Sequence, residues 1–466
     1  MRNIRTVVLT LLCLIPLVAC DDGGSTINDA ESLTAALGAA VPGDRVCLGE
    51  GRFMGSFEVP AGVELCGAGR GLTRIVGPSD LPAITAIPGV GGPTRITGLT
   101  VDATRSFGVI AIGGGELEIM GVDVAVETAG AGIGVEGLTA LRMQDVNVLG
   151  PANRLNAVDM PAEMDVTVSA AYGVVAVSVM AVEGDSVEVG GFAHFGVLTI
   201  DSNLALRDSS ILSNLSTGLM VYGGTADLSR VHVDEALGGT RLIPPYNAVF
   251  ANGADVTTNA LEVSAGDGYG ILQSEATSTH DGLAAVGNSE AAIWVQNSGG
   301  LSLTNSILTD NTLAGIVAVA TSGLNIADVQ IARTLPRTRI FDRTPVMVGD
   351  GVQLLGSTTG ISLERLTLSD NARVGVLFDL EGADFSGINI ASVTVDGVGE
   401  ELGAIAQDGT IPAGWDANVT RSALIDANDS AFSGSLETVG IVGPSDLPAV
   451  DAIAMTGIAG IVGPSD

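Results

Sequence analysis

The chain repeats a unit of about 22 residues over most of its length, and this repeat limits the possible folds more than any other feature. Each unit contains short runs in which apolar and polar residues alternate, separated by Gly, Asn or Asp; such units begin at Glu116, Asn203, Gly300 and Ile361. Alternation with a period of two predicts strands, and the separating residues predict turns. No heptad or long helical period lies between the runs, which excludes helical repeats. Short strands in such units can bury their apolar faces only by coiling, with successive coils stacked about 4.8 Å apart.

The first coils follow a more specific pattern. The order is Ser32-Leu-Thr-Ala-Ala-Leu37, Pro42-Gly-Asp-Arg-Val-Cys-Leu48, Gly51-Arg-Phe53 and Val63-Glu-Leu-Cys-Gly-Ala-Gly69. This order resembles the opening of right-handed parallel β-helices of the pectate-lyase-like superfamily, and the resemblance covers roughly residues 44–435. It implies an all-β fold, a single-stranded right-handed parallel β-helix solenoid with a short N-terminal capping helix.

The residues themselves support such a cap. Asn28 or Asp29 can N-cap a helix whose buried stripe is Ala30, Leu33 and Leu37. A cap is expected because an open coil end exposes unpaired strand groups.

Asparagines recur at one position of the repeat. Asn214, Asn288 and Asn311 each stand eleven residues after the start of their unit, at 203, 277 and 300, and Asn371 fits the same place if its unit starts at 360. Stacked Asn side chains can hydrogen-bond along a coil axis at a turn, so we interpret them as scaffold.

The composition is strongly acidic. The net charge is −33, from 53 acidic residues against 20 basic residues, all of them Arg. Such a surface repels nucleic acid and anionic membranes, so a nucleic-acid partner is not expected.

The N-terminus predicts export. Two arginines precede an apolar stretch from Val7 to Ala19 that is too short for a permanent membrane span. The run Leu17-Val18-Ala19-Cys20 resembles the bacterial lipobox, which implies cleavage before Cys20 and lipid attachment to its sulfur. The alternative is an ordinary signal peptide that contains a cysteine. The lipid would anchor the protein to the cell envelope, at the outer membrane and cell surface or on the periplasmic side of the inner membrane.

The mature chain would retain Cys47 and Cys66, since Cys13 leaves with the signal and Cys20 is lipidated. In an oxidising compartment an isolated pair is most simply a disulfide, and a metal site would need more ligands nearby. We therefore predict a disulfide and no metal.

Four regions follow: a lipoprotein signal peptide (1–19), an anchor or linker (20–27), the β-helix domain (28–435) and a repetitive C-terminal tail (436–466). In the tail, the segment Ile75–Ala83 recurs letter for letter at 441–449, so no function is assigned to it.

Insertions mark a possible site. The extra residues near 150–168, 237–246 and 332–348 fall in the same interval of the repeat, so they should project from one edge of the coil. That interval carries Phe341 and the residues predicted to bind a ligand: Arg154, Arg241, Tyr246, Arg333, Arg337, Arg339 and Arg343. Arginines and aromatics there favour an acidic glycan or another anionic ligand. Pairing with local acids is the alternative.

No catalytic residues are assigned. The Trp-x-Asp-His and Arg-x-Pro-x-x-Arg motifs typical of pectate lyases have no match, and His194, His232 and His280 are interpreted as ordinary wall or loop residues. Trp294 sits in an apolar run, which favours core packing. The sequence thus favours a lipid-anchored, non-catalytic envelope protein without a cofactor. The alternatives are a polysaccharide lyase or glycoside hydrolase with a diverged site, for which calcium would be relevant, and a structural spacer or adhesin.

Overall fold

A computed structural model describes residues 26–89, 91–127, 130–151, 172–192, 194–214, 216–235, 247–265, 268–341, 344–379, 388–396, 402–407, 419–421 and 430–432. The chain forms a parallel β-solenoid of the right-handed type, in which three sheets, here named A, B and C, run the length of the molecule. The predicted fold class is confirmed.

Each turn of the chain visits the sheets in the order A, B, C. Strands that belong to sheet A alone are Arg45–Cys47, Glu64–Cys66, Thr94–Thr97, Asp255–Asn259, Thr277–Asp281, Gly300–Thr304, Leu324–Ala327, Ser362–Glu364 and Asn389–Ala391. Strands of sheet B alone are Gly51–Met54, Thr73–Val76, Thr100–Ala103, Ser210–Leu212, His232–Glu235, Glu262–Ala265, Ala284–Val286, Ile307–Thr309, Gln330–Ala332, Thr367–Ser369, Val393–Asp396 and Val419–Arg421.

Sheet C completes each turn. Its own strands are Phe57–Val59, Ile84–Ala86, Val109–Ile112, Ala131–Glu136, Tyr172–Val177, Asn247–Asn252, Tyr269–Ser274, Ile293–Gln296, Leu313–Val319, Thr344–Leu355, Val374–Asp379, Leu402–Gln407 and Ser430–Phe432. Longer strands turn a corner: Glu116–Val126, Ala140–Leu149 and Val182–Gly190 join sheets A and B, and Phe195–Arg207 and Thr217–Ser229 join sheets C and A. A separate strand, Arg337–Phe341, pairs antiparallel with the first part of Thr344–Leu355.

Every sheet is built from parallel pairs between successive coils. Ile119, for example, is in register with Met143, and Leu272 is in register with Trp294. The described coils stack into a rod roughly 60 Å long at about 4.8 Å per coil.

Many corners between sheets turn on one residue with left-handed backbone. At the corner from sheet A to sheet B these residues include Asp208, Arg230, Ala260, Gly282, Asn305, Asp328 and Arg365, with φ between 47° and 69°. Arginine in this conformation is unfavourable. Here it is compensated, because Arg230 forms two hydrogen bonds of 2.6 Å with Asp208, and Arg365 forms two of 2.7 Å with Asp328.

Two apolar layers hold the rod together. The first fills the inside of the coils, where residues such as Leu65, Ile96 and Leu141 are fully buried. The second lies on the outer side of sheet C, where Leu198, Met220 and Leu272 are fully buried as well. This second layer explains why the sheet C strands are apolar on both faces.

The N-terminal end carries the predicted cap. The helix Ala30–Ala39 is N-capped by Asp29, whose carboxylate accepts from the Ser32 backbone N–H. Leu33 and Leu37 are buried against the first coil, and Ala30 is partly buried, as the spacing predicts.

The predicted disulfide is also present. Cys47 and Cys66 are direct register partners on adjacent sheet A strands and are bonded to each other.

The four recurring asparagines, here called the asparagine ladder, lie at the corner from sheet B to sheet C, as the repeat predicts. All four predicted side chains are buried. Asn311 Oδ1 accepts from the backbone N–H and from Nδ2 of Asn288, while Asn371 Oδ1 accepts from Thr334. These residues satisfy backbone groups inside the wall.

In the part of the chain that the structure describes, no helix is both long enough and apolar enough to span a bilayer.

Candidate functional site

The strands that flank the three insertions meet at one corner of the rod, as the sequence predicts. In each case the chain ends a sheet B strand (Ala140–Leu149, His232–Glu235 or Gln330–Ala332) and then begins a sheet C strand. We call the described part of this corner the B–C edge; it comprises residues 287–292, 310–315, 333–337, 349–350 and 370–373. It is the place where the wall of the rod meets the antiparallel pair formed by residues 337–341 and 344–348, here called the projecting hairpin.

Arg333 lies in the wall at this edge. It follows Gln330–Ala332 directly with φ 53°, one coil above Asp310, which has φ 59°. Its Nε and Nη2 donate to the two Asp310 carboxylate oxygens at 2.8 and 2.6 Å. These hydrogen bonds hold the pKa of Asp310 below its ordinary value. The pairing matches those of Arg230 and Arg365, so it stabilises the corner, and Nη1 lies outside the bonded fork.

Arg337 begins the projecting hairpin and folds back over the edge. Its Nη1 donates to the Ser289 carbonyl at 2.7 Å and pairs with the Glu290 carboxylate. Ser289 and Glu290 precede the sheet C strand Ile293–Gln296, more than 40 residues before Arg337. The contact therefore fixes the base of the hairpin against a lower coil.

A buried charged pair lies beside the hairpin. Arg373 donates through Nε to Asp350 Oδ1 at 2.6 Å, and its Nη2 bonds Asp350 Oδ2. Asp350 is fully buried and also accepts from Gln353 Nε2 at 2.7 Å. Gln353 Oε1 is buried without a hydrogen-bond partner. The cluster fixes the Arg373 guanidinium beside sheet C.

The two acids of this region stand two coils apart. The backbone N–H of Ala292, two residues after Glu290, donates to the Ala314 carbonyl of the next coil. Ala314 is in turn in register with Asp350, one coil further along. Their backbones are therefore roughly 10 Å apart. Each carboxylate already has an arginine partner.

Trp294 lies near the edge on the outer side of sheet C. It is fully buried, packs edge-on against Tyr269 with ring centroids 5.4 Å apart, and donates from Nε1 to Gln296 at 3.0 Å. The predicted packing role is confirmed. The indole belongs to the outer apolar layer rather than to the inside of the coil.

The structure locates only part of the predicted ligand set. Arg333 and Arg337 lie at the B–C edge. Arg339 belongs to the strand Arg337–Phe341, and the structure describes only its backbone. The other members lie outside the described residues: Arg154, Arg241, Tyr246 and Arg343. Cys20, the predicted lipid site, also lies outside them.

The histidines occupy three different environments. His232 faces outward from sheet B, 3.3 Å from a Glu262 carboxylate oxygen. His194 contacts the rings of Tyr172 and Phe195, and burial lowers its pKa. His280 points into the coil, 2.9 Å from Thr258 Oγ1. In the described part of the chain they do not share a site, and no three His, Cys, Asp or Glu side chains gather as a metal site there.

Sequence reasoning missed Arg373, Glu290 and Asp310 as members of the edge. The available signal was the position of Arg373 directly before the apolar run Val374–Phe378, and of Glu290 before Ala291–Val295. Both positions lie just before a sheet C strand, at the corner where the insertions occur.

The comparisons with known proteins give similarity in fold only. No family model and no curated protein matches the chain. Among solved structures, the mannuronan C-5 epimerase AlgE4 A-module of Azotobacter vinelandii is 14% identical, with a TM-score of 0.39 over 85% of this chain and 96% of that one. Tailspike protein 3 of bacteriophage CBA120 is 12% identical, with a TM-score of 0.36 over 90% of this chain and 61% of that one. The pre-mature gene product 12 of bacteriophage phi29 is 12% identical, with a TM-score of 0.38 over 86% and 54%.

Proposed function

We propose that the protein is an exported, lipid-anchored envelope β-helix that binds an acidic glycan at the B–C edge without turning it over. The observation that supports this most is the local charge of the projecting segment. Residues 337–343 contain three arginines and one aspartate, a net charge of +2 on a chain whose net charge is −33. A positive segment on a negative protein directs an anionic ligand to that place.

The wall of the rod supports the same assignment. Arg337 and Arg373 are held by fixed partners on different coils, so their guanidinium groups are ordered before any ligand arrives. Ordered donors lose less entropy on binding than free side chains. The arginine nitrogens outside these pairs can donate to carboxylates.

The net negative charge of the chain does not prevent an anionic ligand from binding at ordinary ionic strength. The Debye length is about 8 Å in physiological salt, so most of the acidic surface is screened from a ligand at the edge. Binding then depends on the few groups within reach. We therefore expect specificity for carboxylate-bearing glycans over neutral ones.

The test is equilibrium binding of the mature protein to a matched pair of glycans, polygalacturonate and its methyl-esterified form, with alginate as a second polyuronate. We expect retention of the polyuronates and clearly weaker retention of the ester. Equal retention of both forms, or retention of neither polyuronate, would overturn the proposal.

The lipid anchor is tested separately. We expect the N-terminal peptide of envelope-derived protein to begin at Cys20 with a diacylglyceryl group and an acyl chain in its mass. Protein that begins elsewhere, or an unmodified Cys20, would remove the anchor and leave the binding proposal intact.

A catalytic role is the second candidate, because Glu290 and Asp350 lie on the same edge two coils apart. Paired acids for inverting hydrolysis stand about 6.5–9.5 Å apart. Both carboxylates here are bonded to arginines, which favours binding over proton transfer. Unsaturated uronide absorbance or new reducing ends, with or without calcium, would establish a lyase or hydrolase instead.

A further inference from the structure

The N-terminal end of the rod, here called its base, exposes apolar side chains on all its sides. Large exposed apolar residues at this end are Val41, Met54, Leu72, Leu81, Ile87 and Ile112, which are 40–68% exposed. Further along, the described exposed set is Met180, Val286, Ile307 and Leu335. Exposed apolar residues thus concentrate in the coils next to the capping helix.

These six side chains surround the rod. Val41, Ile87 and Ile112 lie at the corner from sheet C to sheet A. Val41 lies between the capping helix and the first sheet A strand, Ile87 directly follows a sheet C strand, and Ile112 ends the next one. Met54 and Leu81 lie at the corner from sheet B to sheet C. Leu72 lies at the corner from sheet A to sheet B, directly before Thr73–Val76. We call the six residues the apolar collar.

The net charge of the chain becomes strongly negative just beyond the collar. Residues 26–112 contain six arginines and eight acids, a net charge of −2. Residues 113–466 contain twelve arginines and 43 acids, a net charge of −31. The collar therefore belongs to the nearly neutral end of a rod that is otherwise strongly acidic.

We infer that the collar is a membrane contact and that the rod stands end-on upon the bilayer. This inference rests on the proposed lipid anchor at Cys20, six residues before Thr26. Six residues reach at most about 21 Å, so the anchor keeps the first coils at the lipid surface.

The charge distribution sets the orientation. Bilayers that contain anionic lipid have a negative surface potential, which repels the acidic part of the rod and tolerates the neutral base. Apolar side chains on every side of the base can enter the interface together only when the rod axis is close to the bilayer normal. A collar on one side only would instead favour a rod lying flat.

The test uses the lipidated full chain in vesicles of phosphatidylethanolamine and phosphatidylglycerol. Single cysteines at Leu81→Cys and Ile112→Cys carry an environment-sensitive fluorophore, with Val286→Cys and Ile307→Cys as matched exposed controls. Ile112 and Val286 are separated by about seven coils, or roughly 34 Å. Circular dichroism verifies that each variant keeps the fold.

We expect lipid-borne quenchers to reduce the fluorescence at Leu81 and Ile112 several-fold more than at Val286 and Ile307. Quenching at none of the four sites, or at all four equally, would overturn the end-on contact. As a second variant, Leu81→Asp with Ile87→Asp should reduce the quenching of a fluorophore at Ile112→Cys.

Vesicle flotation separates the two proposals. Protein that does not float with vesicles contradicts the lipid anchor, whereas protein that floats without collar quenching contradicts only the membrane contact.

Discussion

We expect His280 to make the stability of the rod sensitive to mild acid. Its imidazole is fully buried inside the coil, and Thr258 and Leu303 hold the same position in the coils below and above. Burial disfavours the charged imidazolium, which lowers the pKa of His280 from 6.5 to about 4. The unfolded chain, with a pKa near 6.5, therefore takes up this proton at a higher pH than the folded rod does.

The sign and size of the effect follow from linkage. A group whose pKa is lowered on folding contributes its full stability above the unfolded pKa, and this contribution is lost as the pH falls from 6.5 towards 4. The shift from 6.5 to about 4 corresponds to about 3 kcal/mol in total. About 2 kcal/mol of this is lost between pH 7 and pH 5.

The assay is urea unfolding at pH 7, 6 and 5, followed by far-ultraviolet circular dichroism. His280→Leu is the test variant, because Leu228 and Leu303 occupy the same column of sheet A. We expect its free energy of unfolding to lose about 2 kcal/mol less than that of the wild type between pH 7 and pH 5. Asn325→Ala, at an exposed position of sheet A, is the control and should keep the wild-type dependence. Parallel curves for wild type and His280→Leu would refute the reasoning.

Three further substitutions test the wall of the rod. Asn311→Ala should lower the free energy of unfolding by about 2 kcal/mol, because it removes the buried hydrogen bonds of Asn311 with the Asn288 backbone N–H and the Ala285 carbonyl; exposed Asn325→Ala is the control in urea titrations. Replacing both Cys47 and Cys66 with alanine should cost about 3 kcal/mol through the unfolded state, and faster hydrogen exchange confined to the first coils would verify the location. Trp294→Ala should cost about 3–5 kcal/mol, since it opens a cavity in the outer apolar layer; a thermal midpoint equal to that of the wild type would contradict this packing.

The repeat predicted the parts of the fold that depend on periodicity. The asparagine ladder follows from equal spacing in successive units, and the capping helix follows from Asp29 and the spacing of Leu33 and Leu37. The disulfide follows from the two cysteines that remain when Cys13 and Cys20 are assigned to the predicted signal peptide and lipid site. Each of these features is local, or is set by one coil length, so the sequence contains it.

The features that depend on register between unequal coils were not predictable. Arg333 pairs with Asp310 at an offset of 23 residues, whereas Arg365 pairs with Asp328 at an offset of 37, because an insertion intervenes. Arg373 pairs with Asp350 at an offset of 23 residues, but Asp350 follows the insertion, so the repeat alone does not assign its register. The outward position of Trp294 was likewise hidden, since an apolar run does not reveal which face of a strand is inside.

The most direct test of glycan binding at the B–C edge is a calorimetric titration of polygalacturonate into two charge-reversal variants. Arg337→Glu with Arg339→Glu changes the projecting hairpin. Arg230→Glu changes an arginine at the corner from sheet A to sheet B, where Arg230 pairs with Asp208. We expect the hairpin variant to lose at least tenfold in affinity, which corresponds to about 1.4 kcal/mol. The Arg230→Glu variant should retain wild-type affinity. Unchanged affinity in the hairpin variant, or an equal loss in both variants, would contradict a binding site at this edge.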